Sequence, residues 1–520
     1  MLLSYRLASI AFVLLAVIRI VSTYHVFNQT FDEPISVACG MEWLDRGTYI
    51  SDPKHPPLGR VATALALYLD GVRSPTPVNA IVDGNRILGT GDTYKRRLTW
   101  ARLSVLPFFF LSCGVLWAWT RWAFGETEAA IAVLLFSSAP PVLGHAGIAM
   151  TDIALTAMLS LALFSFCRWL DLPSTGRSLA LGAAVGAAVL SKFTAIPFLL
   201  VCGGLIAAAR SFSNPKWEGR RHLTGLLIAA AVASLVVWGG YRFTVGPVVL
   251  PGGSTVPLPA PAFFGGLRAL MAHNHEGLPN YFLGERSLLG WVYYYPVVIF
   301  AKSPAALIAL FLCGIFLIAR HRPVLEKWER WTPVLVAAGM LIVGTGSSIN
   351  IGVRHLLPIY VPLAGVAAFG AVRLFHAGRL ARVACVALIA WQVASSIRAH
   401  PDYLAYFNEV VHADNGEFGV DTDLDYGQDL WRLAEACKRR NIQSLWIAYH
   451  GTAKLEQLAG IQTHSLPTDT REDGWIAVSM FKLKLGDGGS FNGYSWLEAL
   501  QPVERVGKSI RLYFVPSAGR

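Results

Sequence analysis

Charged residues are scarce in this chain. Asp, Glu, Lys and Arg make up 15% of its 520 residues, whereas a soluble protein carries about 25%. Hydrophobic residues account for 54%, and apolar segments recur at about 17–25 residues, the length of a helix that crosses a bilayer. This composition excludes an ordinary soluble domain and predicts an α-helical polytopic membrane protein.

Cysteine motifs, internal repeats and low-complexity tracts are also missing. The seven cysteines show neither the spacing of metal ligands nor that of a disulfide framework. Most of them fall in or beside apolar segments, where cysteine usually packs as a small apolar residue. Cys39 and Cys437 lie in segments that we place outside the membrane, so a disulfide between these two stays open.

About eleven membrane spans are predicted from the apolar segments. The first predicted span, 7–26, resembles a signal peptide, but Arg19 interrupts its apolar region and no small-residue cleavage site follows. We therefore interpret it as an uncleaved span. The predicted spans are 7–26, 100–120, 126–144, 153–170, 178–193, 195–210, 223–243, 296–319, 332–348, 356–374 and 383–398.

The basic residues predict the topology. The net charge is +11, and Lys and Arg cluster in the loops 210–221, 320–330 and 373–382. With the N-terminus inside, strict alternation places all three loops in the cytoplasm, as the positive-inside rule requires. The charge therefore indicates a multi-pass protein of the plasma (inner) membrane and not a nucleic-acid partner.

The same alternation divides the chain into a transmembrane domain, 1–398, and an extracytoplasmic C-terminal domain, 399–520. In the outer loop 27–99, apolar residues recur at helical period over Pro57–Leu69, which predicts a helix lying in the membrane interface. The outer loop 244–295 begins with a Pro- and Gly-rich stretch that we expect to be irregular. Beyond residue 398 the pattern predicts a small α/β domain with a helix and three strands. The helix is expected at 427–441 and the strands at 444–449, 475–483 and 510–515.

Asp32 and Glu33 are the strongest candidates for chemistry. Two adjacent carboxylates beside a membrane repel each other and hold shifted pKa values, as general bases and cation sites do. The alternative is that one of them caps a helix with Pro34 in its first turn. His55, in Lys54-His55-Pro56-Pro57, is either a partner of these acids or a turn residue.

Further candidates lie at the outer ends of predicted spans. Asp152 is either a helix cap or another carboxylate of the same site. Burying a cation beside a membrane-spanning segment costs free energy unless the cation is paired or binds a ligand. A phosphate at the membrane surface would be such a ligand. Snorkelling to the interface is the alternative. The candidate cations are Arg102, Lys192, Arg354 and His355.

Two groups suggest a metal only weakly. His273, His275 and Glu276 are residue types that ligate zinc, but their spacing in a loop is not diagnostic. The acidic stretch Asp421–Asp429 lacks the ordered ligands of an EF-hand, and we interpret it as a helix cap or a docking surface. No cofactor is predicted firmly, and a divalent metal stays open.

Several motifs together resemble the protein O-mannosyltransferase group of the GT-C glycosyltransferases, a superfamily that includes the lipid A aminoarabinose transferases. Asp32-Glu33, followed by His55-Pro56-Pro57-Leu58-Gly59-Arg60, is similar to the first-loop signature of that group. The remaining matches are Thr151-Asp152, Ser191-Lys192, Asn280-Tyr281-Phe282-Leu283-Gly284-Glu285, Arg354-His355-Leu356-Leu357-Pro358, Tyr406-Phe407-Asn408-Glu409 and Leu424-Asp425-Tyr426-Gly427-Gln428-Asp429-Leu430.

The resemblance implies an inverting glycosyltransferase that moves a sugar, mannose or another hexose, from a polyprenyl-phosphate donor to an acceptor hydroxyl outside the membrane. It implies that Asp32 is the catalytic base and that Glu33, His55 and Asp152 shape the site. Arg102, Lys192 and Arg354 are the implied ligands of the donor phosphate. The acceptor is a protein, a lipid or a glycan, and the other expected partners are membrane lipids.

This sequence departs from two groups of related transferases, and these departures limit which of their properties can be expected here. Aminoarabinose transferases have Glu-Lys-Pro where this chain has Lys54-His55-Pro56, so their metal site is not expected here. Eukaryotic mannosyltransferases insert a large β-rich domain into a later outer loop, and 244–295 is too short to hold one.

A second class of function stays open, a transporter or flippase of a lipid-linked sugar, although a transporter buries its ionisable groups near the midplane of the bilayer. A third alternative, a membrane scaffold, gives no reason for ionisable groups gathered on one face.

Overall fold

The structure is a computed structural model that describes residues 2–213, 219–250, 253–320, 327–411, 415–487 and 493–517. All of the predicted spans fall on helices. The main helices at these positions are Leu2–Val21, Leu106–Ala123, Glu126–Ser137, Asp152–Asp171, Thr175–Ser191, Ala195–Ser213, Gly219–Gly240, Ala305–Arg320, Trp328–Thr345, Tyr360–His376 and Arg379–Arg398.

The number of helices that satisfy a spanning criterion is smaller than the eleven expected. Within the described residues, seven helices are long and apolar enough to cross a membrane, or nine if each of two bent pairs counts as one span. Thr175–Ser191 has only 17 residues. Trp328–Thr345 carries Glu329 and Arg330 in its first turn, and these charges lower its mean hydropathy.

Two predicted spans are broken rather than straight. Glu126–Ser137 and Pro140–Ala146 meet at 67°, and Tyr294–Lys302 meets Ala305–Arg320 at 115°. A proline lies at each break, and the residue before it has an extended backbone: Ala139 has ψ 119° and Ser303 has ψ 140°. Because proline lacks an N–H and disfavours the helical region for the preceding residue, the helix ends there.

The helices pack around a buried centre. The segment that contains Val353–Ile359 and Tyr360–His376 is almost wholly buried, whereas Leu2–Val21 exposes a row of large apolar side chains. Glycines allow the closest approaches. A Cβ at Gly314 would overlap the Val366 carbonyl, and one at Gly370 would overlap that of Leu310. Small residues at such crossings are typical of helix packing in membranes.

The loop 27–99 folds into helices that are stacked on one another. The predicted helix Pro57–Leu69 is confirmed with these bounds, and Glu33–Met41 crosses it where Gly40 meets the Arg60 carbonyl. The other helices of this region are the π-helical turn Glu42–Arg46, Ala80–Leu88 and Gly91–Leu103. This stack fixes the backbone that carries Asp32.

The loop 244–295 is more regular than expected. The stretch predicted to be irregular contains an antiparallel hairpin of Val245–Val249 and Thr255–Pro259, in which Pro247 pairs with Pro257. A two-stranded hairpin has only edge strands, so its prolines remove no ladder hydrogen bond that a third strand would need. The helix Pro261–Glu276 and the short strands Asn280–Phe282 and Glu285–Ser287 follow.

The C-terminal part contains a five-stranded mixed sheet. Its order is Gln462–Ser465, Ser444–Ala448, Gly474–Ser479, Ile510–Val515 and Glu504–Val506. The first three strands are parallel and the last two are antiparallel additions. The helices of this part are Asn415–Phe418, Leu430–Arg439, Leu455–Ala459, Met480–Leu485 and the 3₁₀ turn Ser495–Ala499.

Three expectations for this part need correction or qualification. The strand predicted at 475–483 ends at Ser479, and its remainder is the helix Met480–Leu485. Cys39 and Cys437 are both buried and free, so they form no disulfide. The C-terminal part is also joined to the loop 244–295, because Gly419–Val420 pairs with Asn280–Phe282 in a three-stranded sheet.

Candidate active site

A cavity of about 390 Å³ lies where the loop 27–99, the ends of several helices and the C-terminal part meet. Five of the eight predicted site residues line it: Asp32, His55, Lys192, Arg354 and His355. Glu33, Asp152 and Arg102 do not line this cavity, and each of them is buried behind its wall in an ion pair.

Asp32 occupies the N-cap position of the helix Glu33–Met41, yet its side chain makes no capping hydrogen bond. The carboxylate turns instead towards Arg354, whose Nη1 lies 3.2 Å from Oδ2. The Tyr426 hydroxyl donates to the same oxygen at 2.5 Å. Burial alone would raise the pKa of Asp32, but Arg354, the Tyr426 hydroxyl and His55 hold it below its ordinary value. Asp32 is therefore ionised and points into the cavity.

Glu33 faces the opposite way, into a buried ion pair with Arg102. The Nε and Nη2 atoms of Arg102 lie 2.8 and 2.9 Å from the two carboxylate oxygens. The same carboxylate accepts hydrogen bonds from the main-chain N–H groups of Thr30 and Ala149. Arg102 also donates to the carbonyl of Asn28 at 2.8 Å. This cluster ties the loop that carries Glu33 to two other segments.

His55 borders the cavity beside a second ion pair. The Nη2 atom of Arg60 lies 2.5 Å from Oδ2 of Asp52. The Tyr49 hydroxyl donates to the His55 carbonyl at 2.7 Å. Burial, together with the positive charges of Arg60 and Lys192, lowers the pKa of His55 to about 3. The imidazole is therefore neutral at physiological pH and remains available as a hydrogen-bond donor or acceptor.

Lys192 brings an ammonium group to the cavity wall. It follows the helix Thr175–Ser191, and its Nζ lies 2.6 Å from Oδ1 of Asp152. Asp152 is the first residue of Asp152–Asp171 and is fully buried. The Oδ2 atom of Asp152 has no hydrogen-bond partner among the described residues. The position of Asp152 favours a carboxylate that orients Lys192 rather than one that touches a substrate.

Arg354 and His355 lie in the 3₁₀ turn Val353–Ile359, and both are largely buried. The guanidinium of Arg354 lies 4.7 Å above the ring centre of Tyr426 and also contacts its hydroxyl. The ring of His355 stacks on Tyr295 at 5.5 Å. The turn thus presents two nitrogen-bearing side chains to the cavity from one short segment.

Tyr426 lines the site although sequence reasoning gave it no role. It is 1% exposed and lines the cavity from the C-terminal part. The only sequence signal is its place in the motif 424–430, which carries the resemblance without indicating a function. His450 and Phe481 line the cavity from the same side, with parallel rings 3.8 Å apart.

The two groups that suggested a metal form no ligand cluster. His273, His275 and Glu276 belong to the last turn of the helix Pro261–Glu276. No group of three or more His, Cys, Asp or Glu side chains in the described ranges is placed to hold a metal ion. The carboxylate of Asp425 accepts from the Phe481 N–H at 2.8 Å and that of Asp429 from the Ser509 hydroxyl at 2.8 Å. Asp429 is the N-cap residue of the helix Leu430–Arg439 but makes no side-chain capping hydrogen bond. The interpretation of 421–429 as a helix cap or a docking surface stays a prediction.

The whole chain has the fold of GT-C glycosyltransferases. It superimposes on ArnT from Cupriavidus metallidurans bound to undecaprenyl phosphate with a TM-score of 0.52 and 13% identity, covering 98% of this chain and 99% of that one. It also superimposes on the oligosaccharyltransferase AglB from Archaeoglobus fulgidus in complex with an inhibitory peptide and a dolichol-phosphate. That TM-score is 0.55 at 13% identity, with 98% and 74% of the two chains covered.

Residues 98–238 match the family model of dolichyl-phosphate-mannose-protein mannosyltransferases. A sequence search of curated proteins finds no match. The resemblance to GT-C glycosyltransferases that the motifs indicated is confirmed by the family model and by the fold.

Proposed function

We propose that this protein is an inverting glycosyltransferase that moves a sugar, mannose or another hexose, from a polyprenyl-phosphate donor to an acceptor hydroxyl. The observation that carries the proposal is the juxtaposition of Asp32 with Arg354 in a cavity that also contains Lys192 and His355. A carboxylate that accepts a proton and cations that stabilise a leaving phosphate are the two requirements of this reaction.

Lys192, Arg354 and His355 are the proposed ligands of the donor phosphate. Charge-assisted hydrogen bonds from the Lys192 ammonium and the Arg354 guanidinium to phosphate are about twice as strong as neutral ones, and the imidazole of His355 adds a ring N–H donor. Undecaprenyl phosphate and dolichol-phosphate, which are bound in the two solved structures of similar fold, support a donor of this type. Arg102 is excluded from this set because its guanidinium is committed to Glu33 behind the wall.

The proposed reaction is a single displacement. The acceptor oxygen attacks the anomeric carbon while the bond from that carbon to the phosphate oxygen breaks, and the lipid phosphate leaves with the bonding electrons. Asp32 takes the proton of the acceptor hydroxyl, so that charge and atoms balance. Attack from the side opposite the phosphate inverts the anomeric configuration. Neutral His55 is proposed to hold a hydroxyl of the bound sugar by hydrogen bonding.

The proposed location of this chemistry is the outer face of the membrane, with the N-terminus in the cytoplasm and the C-terminal part outside. The three basic loops support this orientation. The isoprenoid tail then stays in the lipid, the phosphate meets the cations, and the sugar faces the acceptor. A reporter fused after Arg520 is expected to be active outside the cytoplasm, and a cytoplasmic signal would contradict the assignment.

The test is sugar transfer by the purified protein in detergent with native lipid. Wild type is expected to move label from polyprenyl-phosphate mannose, or from another hexose donor in a panel, to a lipid, glycan or protein fraction. Asp32→Asn is expected to abolish transfer while donor binding persists. Asp92→Asn, an exposed acid of the same outer loop, is the matched control and should transfer normally.

Two results would reject the proposal. Transfer by Asp32→Asn at the wild-type rate would exclude the assigned base. Donor binding without transfer by wild type, combined with movement of the donor across vesicle membranes, would favour a flippase of lipid-linked sugar. The fraction that receives the label also identifies the class of acceptor.

A further inference from the structure

The C-terminal segment 424–430 is docked directly on the loop that carries Asp32. The Phe31 N–H donates to the Tyr426 carbonyl at 2.9 Å. The Asn28 side chain donates to the Gly427 carbonyl at 2.8 Å and accepts from the Leu430 N–H at 2.7 Å. These bonds join residues about four hundred positions apart in sequence, so the two segments form one structural unit.

The side chain of Tyr426 occupies the centre of this unit. Its hydroxyl donates to Oδ2 of Asp32 at 2.5 Å, and its ring lies beneath the Arg354 guanidinium. The ring packs with Ile148, Met150 and Phe31 and is almost fully buried. The phenol is therefore held in one orientation by packing and links the carboxylate to the cation.

We propose that Tyr426 is a positioning residue of the transfer reaction, which holds Asp32 and Arg354 in their reactive geometry, so that the C-terminal part completes the active site. This inference rests on the proposed function. Tyr426 is assigned no contact with the substrate and acts through Asp32 and Arg354.

The need for such a residue follows from the surroundings of Asp32. Its side chain is 31% exposed and makes no capping bond, so the helix that it precedes does not fix its rotamer. The hydrogen bonds from Tyr426 and from Arg354 are both made to Oδ2, so we expect Oδ1 to accept the proton. A base held within a fraction of an ångström of its productive position reacts much faster than one that samples several rotamers.

The test is Tyr426→Phe, which removes one oxygen and keeps the ring beneath Arg354. We expect kcat for sugar transfer to fall about tenfold to hundredfold, since a hydrogen bond to a charged group is lost. The KM for the donor should change little, because Lys192 and His355 remain. A purely structural role would instead lower the melting temperature without separating kcat from KM.

The pH profile supplies a second readout. The groups that face Asp32 are Arg354 from the 3₁₀ turn, His55 from the first loop, and Tyr426 and His450 from the C-terminal part. Removing the phenol removes one donor to the ionised carboxylate and raises its pKa. The acid limb of kcat in Tyr426→Phe should therefore lie at higher pH than in wild type.

Tyr494→Phe is the matched control. Tyr494 is another buried tyrosine of the C-terminal part, and its hydroxyl donates to the Leu466 carbonyl at 3.2 Å, away from the cavity. This variant should keep the wild-type kcat and pH profile. Wild-type kinetics in Tyr426→Phe, with inactivation only in Tyr426→Ala, would reduce the role to packing and overturn the inference while the proposed function stands. Failure of the wild-type protein to transfer any hexose would overturn both.

Discussion

The ammonium nitrogen of Lys192 lies 2.6 Å from Oδ1 of Asp152, with the acid fully buried and the lysine at the wall of the cavity. The pair joins the end of one helix to the start of another. The carboxylate partner offsets part of the free-energy cost of burying the ammonium group. The ion pair with Asp152 therefore fixes the orientation of the Lys192 side chain before a ligand binds.

Lys192→Met is predicted to raise the KM for the polyprenyl-phosphate donor about tenfold or more, since a charged hydrogen bond to phosphate contributes about 1.5–3 kcal/mol. Lys192→Arg should recover part of this loss, because the charge persists with a different shape. Initial rates across donor concentrations measure both effects. Lys438→Met, an exposed lysine of the helix Leu430–Arg439, is the control. An unchanged KM in Lys192→Met would exclude a contact with the donor phosphate.

The buried pair of Glu33 and Arg102 is predicted to stabilise the fold rather than to react. Glu33→Gln leaves a buried guanidinium without its carboxylate, which typically costs about 3–5 kcal/mol. We expect a lower melting temperature in detergent and a lower yield of folded protein. Glu504→Gln breaks partly exposed pairs with Arg439 and Arg440, whose side-chain nitrogens lie 2.6 and 3.0 Å from the carboxylate oxygens, and should change stability little. Equal melting temperatures for the two variants would contradict the assignment.

Much of the site could be predicted from the sequence. Span lengths and the basic loops placed the candidate residues on one face, and Asp32, His55, Lys192, Arg354 and His355 do line one cavity. The helix that begins at Pro57 was also predictable from the sequence, because its apolar residues recur at helical period and a proline starts it.

The orientation of neighbouring side chains was not predictable in the same way. Asp32 and Glu33 are adjacent, but successive residues of a helix project about 100° apart, so one faces the cavity and the other faces Arg102. Local pattern also gives no information on the contact between Tyr426 and Asp32, which depends on docking between distant segments. The 115° break before Ala305 was detectable from Pro304, but its angle depends on tertiary packing.

The buried carboxyl group of Asp425 is predicted to make the free energy of unfolding depend on pH. It is fully buried, and although main-chain N–H groups of Phe481 and Gly427 donate to it, burial raises its pKa to about 7. Between about pH 4 and 7 the folded protein therefore binds more protons than the unfolded chain, and stability falls as pH rises through this window.

Asp425→Asn is predicted to flatten this dependence. The melting temperature of wild type should be lower at pH 8 than at pH 5, and the difference should shrink in the variant. It should not vanish, because burial and the nearby Asp423 raise the pKa of Asp421 to about 6. Asp473→Asn, at an exposed position, should keep the wild-type slope. A variant as pH-sensitive as wild type would show that Asp425 is ionised in the folded protein.

Gly84 is predicted to maintain the position of Asp32 through close packing. It lies in the helix Ala80–Leu88, and a Cβ there would overlap the carbonyl of Pro34, two residues after the proposed base. Gly84→Ala must displace the helix Glu33–Met41, with an overpacking cost of about 1–3 kcal/mol. We expect a lower kcat for transfer together with a lower melting temperature. Gly204→Ala is the matched control, because a Cβ at this helical position meets no atom within 4 Å. Normal transfer by Gly84→Ala would mean that the loop tolerates the displacement and that other contacts, among them those of Asn28 and Tyr426, are sufficient to hold Asp32 in place.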